Sequence, residues 1–125
     1  MVVTAWLPFG PTSAASSLLR QAIARVRASD EPPPVSWGDP DSLQRLLGPH
    51  GDLVVCERQL ARKPVTAEQQ WDCWERLHPL WINARRILEP AGEWEKLRAS
   101  SIAALREGGF EAEQARPYLL AVLAR

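Results

Sequence analysis

Tyr118-Leu119-Leu120-Ala121-Val122-Leu123 runs apolar without a break near the end of the chain. A strand that alternates apolar and polar residues has one wet face; one that does not alternate is covered on both, as the centre of a sheet is. Two other segments have strand character. Val2-Val3-Thr4-Ala5-Trp6 is short, uncharged and apolar, and Leu53 to Arg62 starts apolar before turning polar at Glu57, Arg58 and Gln59. The second pattern suits a strand with one end covered and an edge toward water.

The segments between these strands read as helices. Leu7-Pro8-Phe9-Gly10-Pro11-Thr12 is a loop, since two prolines and a glycine interrupt any ladder. Leu18, Leu19, Ala22, Ile23 and Val26 then recur at helical spacing, which predicts an amphipathic helix over roughly residues 13 to 28. Asp30-Glu31-Pro32-Pro33-Pro34 ends it as a linker. Asp39 before Pro40 is an N-cap followed by a first helical position, and Leu43, Leu46 and Leu47 give that short helix its apolar side. Thr66 and Gln69 have capping-box spacing, which predicts a helix to about His78. Pro79 must kink or restart it, with Trp81, Ile82, Ile87 and Leu88 continuing. A last helix runs from about Glu93 to Glu107, where Gly108-Gly109 is read as its cap.

The chain of 125 residues carries 15 Lys+Arg against 15 Asp+Glu, so its formal net charge is zero. No positive field exists to draw it to nucleic acid or to an anionic membrane. Its longest apolar stretches are too short to span a bilayer, and Met1-Val2-Val3 has no basic region before it, which predicts a cytoplasmic protein. Cys56 and Cys73 lack ligand spacing and read as buried free thiols. All 125 residues are expected to form one domain.

Val3-Thr4-Ala5-Trp6-Leu7-Pro8-Phe9-Gly10, then Trp37-Gly38-Asp39 with Leu43 through Leu47 and Gly48, then Ala67 to Trp74, and the closing apolar run resemble the C-terminal half of class I S-adenosylmethionine-dependent methyltransferases. The nearest likeness is to the small-molecule enzymes of the ubiquinone and menaquinone type. The resemblance implies an α/β, partial Rossmann-like methyltransferase fold: a three-stranded mixed sheet in the order 1-3-2, the last strand central and antiparallel, with about five helices. It also implies a departure. That family holds its cofactor with a glycine-rich loop after its first strand and an acidic residue after the second. Neither stretch is present, so S-adenosylmethionine is expected only where a separate half supplies its site; the chain reads as the acceptor-side portion.

The candidate residues are few. Trp6 stands at the carboxyl end of its strand, where α/β sheets bind ligands, so Trp6 and Phe9 are candidates for contact with a methyl acceptor, alongside simple core packing. Trp71, Trp74, His78 and Trp81 fall on one helical stripe if the Pro79 kink is mild; Trp71 and Trp74 then either wall a pocket for a small hydrophobic ligand or pack in the core. His78 is the one candidate general base, its alternative role being that of a helix-end cap, and His50 reads as a solvated loop histidine. No metal-ligand spacing occurs, and Asp39 and Asp41 are accounted for by helix initiation.

Three functions remain open: the acceptor-side portion of a methyltransferase unable to act alone, a non-catalytic small-ligand-binding module, and a structural dimer. Val2 to Trp6 carries no charge, proline or glycine to discourage strand pairing. A homodimer or a partner chain is therefore expected at that edge.

Overall fold

A computed structural model describes residues 1–28 and 37–124. The proline run read as a linker lies outside the described residues. The chain divides into two compact units: a sheet unit of Met1–Pro8, Pro32–Lys63 and Gln114–Arg125, and a helical unit of Phe9–Glu31 and Pro64–Glu113.

The sheet unit contains β1 (Val2–Trp6), α2 (Pro40–Leu47), β2 (Asp52–Ala61) and β3 (Ala115–Ala124). The helical unit contains α1 (Pro11–Arg27), α3 (Ala67–Leu77), α4 (Pro79–Leu88) and α5 (Trp94–Glu107). The sheet order is β1-β3-β2, so the final apolar run is the central strand. Both ladders are antiparallel, with Val2 opposite Val122 and Val54 opposite the same residue from the other side. The sheet is therefore purely antiparallel and not mixed as expected, because β1 and β2, which run the same way, do not pair with each other.

β3 begins at Ala115, earlier than its apolar run, and includes Pro117. The register explains why a central strand tolerates proline. Met1 and Leu123 exchange both backbone hydrogen bonds, at 2.8 and 2.9 Å, so odd-numbered β3 residues bond toward β1. β1 ends opposite Tyr118, and no β1 residue waits for an N–H from Pro117.

One face of the sheet is covered. Leu43 and Leu47 of α2 pack with Leu119 and Ala121 of β3, joined by Val3, Leu7, Leu53 and Val55. The opposite face is open: Val2, Val122 and Val54 lie in one row across the three strands and are 64%, 40% and 64% exposed. α2 forms as its sequence predicts, with the Asp39 carboxylate accepting from the Asp41 and Ser42 amides and from the Ser42 hydroxyl. Gly38 before it has a steric cause, since a Cβ there would come within 2.0 Å of the Trp6 carbonyl oxygen.

The helical unit has its own core of Ala15, Leu19 and Ala22 from α1 with Trp71, Trp74, Trp81, Trp94, Leu97, Leu105 and Phe110 among others. α1 starts at Pro11, two residues before the expected start, because proline suits a first helical position and Gly10 at φ +84° makes the turn into it. Thr66 and Gln69 form the capping box of α3. The Gly108 amide donates to the Ala104 carbonyl and Gly109 adopts φ +75°, the stop read from that glycine pair. Cys56 is half-buried and Cys73 exposed, so the thiols are free as read but not buried; Cys73 lies on the outward side of α3, between the inward Trp71 and Trp74.

Candidate functional site

β1 and β2 run parallel, and the carboxyl-terminal part of each reaches the same end of the sheet. There Thr4, Ala5, Trp6, Leu60 and Tyr118 line a concavity of about 300 Å³. Even-numbered β1 residues project onto the open face, which brings Trp6 beside Tyr118, its register partner. Directly opposed residues that do not share hydrogen bonds sit closest in an antiparallel ladder. The two rings meet edge to face, 6.1 Å between centroids and 73° between planes. The Arg116 guanidinium lies 5.3 Å from the Trp6 ring centroid, over its face.

Trp6 itself is 52% exposed, a large aromatic left half in solvent at the carboxyl end of a strand. The arrangement offers a flat apolar wall (Trp6, Tyr118), an aliphatic side (Leu60), two hydroxyl-bearing residues (Thr4, Tyr118) and a nearby cation. It suits a flat hydrophobic molecule with a polar rim. Its polar lining side chains are the Thr4 and Tyr118 hydroxyls.

The remaining candidates belong to the helical unit. Phe9 is exposed, in the turn before α1. Trp71 is fully buried and Trp74 is 9% exposed, both within the core. Trp71 meets Trp81 edge to face at 5.1 Å and Trp94 at 5.2 Å, while Trp74 stacks on Trp81 at 4.7 Å with 4° between planes. A ligand would have to open this cluster to reach Trp71. The Trp94 indole N–H donates to Glu75, which also pairs with Arg85 at 3.0 Å. The Trp71 indole N–H and the Ser101 hydroxyl have no partner among the described residues.

His78 is not part of a continuous stripe. Its backbone is extended (φ −96°, ψ 114°), so Pro79 restarts the helix rather than bending it. His78 Nδ1 accepts from the Leu80 amide at 3.3 Å, which makes it the N-cap of α4. The capping role anticipated for it falls on the following helix's amides rather than on carbonyls. His50 is exposed in a short 3-10 turn, Gly48–His50.

Sequence reasoning singled out Trp6 but not Leu60, Tyr118, Thr4 or Arg116. Tyr118 and Thr4 carry only strand signals in the sequence, and the register of the β1–β3 ladder is what brings them beside Trp6. No group of His, Cys, Asp and Glu among the described residues could hold a metal ion. No helix among them is long and apolar enough to cross a membrane.

No family model, no curated protein and no solved structure matches the chain.

Proposed function

We propose that this chain forms the acceptor-side portion of an S-adenosylmethionine-dependent small-molecule methyltransferase of the ubiquinone and menaquinone type, acting in the cytoplasm. The observation that carries the reading is the sheet: order β1-β3-β2, with the last strand central and antiparallel to both neighbours, the arrangement the sequence resemblance implies. The aromatic concavity at the carboxyl ends of β1 and β2 supports it, being a surface for a flat hydrophobic acceptor.

The residues of this chain do not fit the cofactor. The glycine pair Gly108-Gly109 follows a helix, and the N–H it offers is spent on closing α5. No step through the cofactor is assigned to these residues; they bind and orient an acceptor, and a cofactor-bearing segment must come from elsewhere. Within the sheet unit Trp6, Tyr118 and Leu60 hold the flat face of the acceptor; in the helical unit Trp71 and Trp74 pack in the core and His78 caps α4. The alternative, a module that binds a flat ligand without chemistry, is supported by the same concavity.

The test mixes the chain with the glycine-rich half of such a methyltransferase and follows transfer of labelled methyl from S-adenosylmethionine to a hydrophobic phenol or quinol. Transfer that needs both parts, and that falls at least tenfold with Trp6→Ala, is expected. Absence of transfer together with saturable binding of the phenol would replace the methyltransferase reading by the binding module. Titration of the cofactor alone into this chain is expected to release no heat.

A further inference from the structure

We propose that the outer edge of β1 pairs antiparallel with β1 of a second copy of this chain, on a two-fold axis through Val3, making one six-stranded sheet. Because Met1 and Leu123 exchange hydrogen bonds, the odd residues of β1 spend their N–H and C=O groups on β3, and Val2, Thr4 and Trp6 direct theirs outward. Among the described residues nothing bonds the outward groups of Val2 and Thr4. The outward Trp6 carbonyl is different: Gly38 backs onto it so closely that a Cβ would sit 2.0 Å away.

That obstruction selects the register. A two-fold at Thr4 needs the Trp6 carbonyl to accept from Val2 of the other copy, where Gly38 stands. A two-fold at Val3 needs only Val2 and Thr4, which face each other across the axis and exchange four hydrogen bonds in all. It also sets Met1 beside Ala5 and Val3 against Val3, covering Met1 and Val2, both over 60% exposed. A second copy is the occupant we assign, because under a two-fold at Val3 the Val2 and Thr4 groups of each strand satisfy those of the other with the Trp6 carbonyl left out. The strand has no charge to repel its own copy. Such an edge covers far less than the ~1,600 Å² of a standard interface, so the dimer is a weak, reversible one.

The inference does not depend on methyl transfer, and its test uses the chain alone. Sedimentation from about 5 to about 200 µM is expected to show a monomer giving way to a dimer. Thr4→Pro removes an outward donor and no β1–β3 bond, so it should keep the fold by circular dichroism and stay monomeric over that range. Val3→Cys places two thiols at the closest kind of antiparallel pair and should cross-link under mild oxidation in a Cys56→Ser, Cys73→Ser background, while Thr4→Cys should not. If Thr4→Pro fails to fold, Thr4→Lys and Thr4→Glu replace it: each alone monomeric, the mixture dimeric. A parent chain monomeric at about 200 µM, or cross-linking at Thr4→Cys in place of Val3→Cys, overturns the proposal.

Discussion

Gly38 illustrates how a single position joins two parts of the sheet unit. Its missing Cβ lets the turn before α2 approach the end of β1, with the Trp6 carbonyl oxygen 2.0 Å from where a Cβ would stand and the Pro8 ring 3.1 Å away. Backbone oxygen cannot swing aside as a flexible side chain can. Gly38→Ala is therefore expected to destabilise the fold by about 1–3 kcal/mol in urea melts and to weaken ligand binding at Trp6, whose backbone must move. Wild-type stability would show that the turn relaxes freely. The next residue gives a pH-dependent prediction. The Ser42 hydroxyl, donating to Asp39, holds that carboxyl below its ordinary value of 3.8; partial burial opposes this, and the Ser42 and Asp41 amides and Arg45 add to it. A folded-state value below the unfolded one means stability that is present above the ordinary carboxylate range and lost as pH falls through the folded value. Asp39→Ala should thus lower the melting temperature at pH 7, with the difference shrinking as the pH falls below the ordinary carboxylate range. A gap that persists unchanged in acid would remove the charged cap from the account. The cap of α2 was legible in the sequence because Asp-Pro is a local signal. The reason for Gly38 was not, because it depends on a contact with a strand far away along the chain.

At the scale of elements, the legible features were those carried by periodicity and caps. Five helices and the central place of the closing run follow from apolar spacing, Thr66, Asp39 and Gly108. Two features escaped because they depend on pairing partners: Pro117 inside β3, permitted by the shortness of β1, and Phe110, fully buried in a short turn after the glycine pair. The break between α3 and α4 was signalled by Pro79, yet its consequence was not. With His78 extended, Trp81 leaves the stripe of Trp71 and Trp74 but returns over Trp74, ring on ring, as α4 folds back. Trp74→Ala then removes a stacked, almost fully buried ring and should cost about 3–5 kcal/mol of stability. Thermal melts decide the matter: a variant melting with the parent would mean the cluster is not core, and intact stability with lost ligand binding would move the acceptor site to the helical unit. The same architecture explains why the candidate site was only half readable. Trp6 announces itself by its position at a strand's end, whereas Leu60, Tyr118 and Thr4 join it only once the register is known.

For the molecule as a whole, charge and surface act together. Fifteen cations cancel fifteen anions, and the isoelectric point falls at about 6.7, so near neutral pH no net repulsion keeps copies apart. The open sheet face adds an attraction, because Val2, Val122 and Val54 form an apolar row in solvent, with Leu120, Tyr118 and Leu60 on the same face. Solubility is expected to pass through a minimum near pH 6.7 and to rise on both sides. Val54→Lys tests whether the face is responsible. Its backbone bonds to Val122 do not involve the side chain, which is 64% exposed, so the change should alter stability by no more than about 0.5 kcal/mol. The added cation should also raise the polyethylene glycol concentration needed for precipitation at pH 6.7 and reduce binding of a hydrophobic dye. Val54 lies two strands away from the outer edge of β1, so the substitution leaves pairing through Val2 and Thr4 intact, and the concentration dependence of the dimer should not move. A loss of several kcal/mol would mean instead that Val54 is covered in solution, and the open face would no longer account for the solubility minimum.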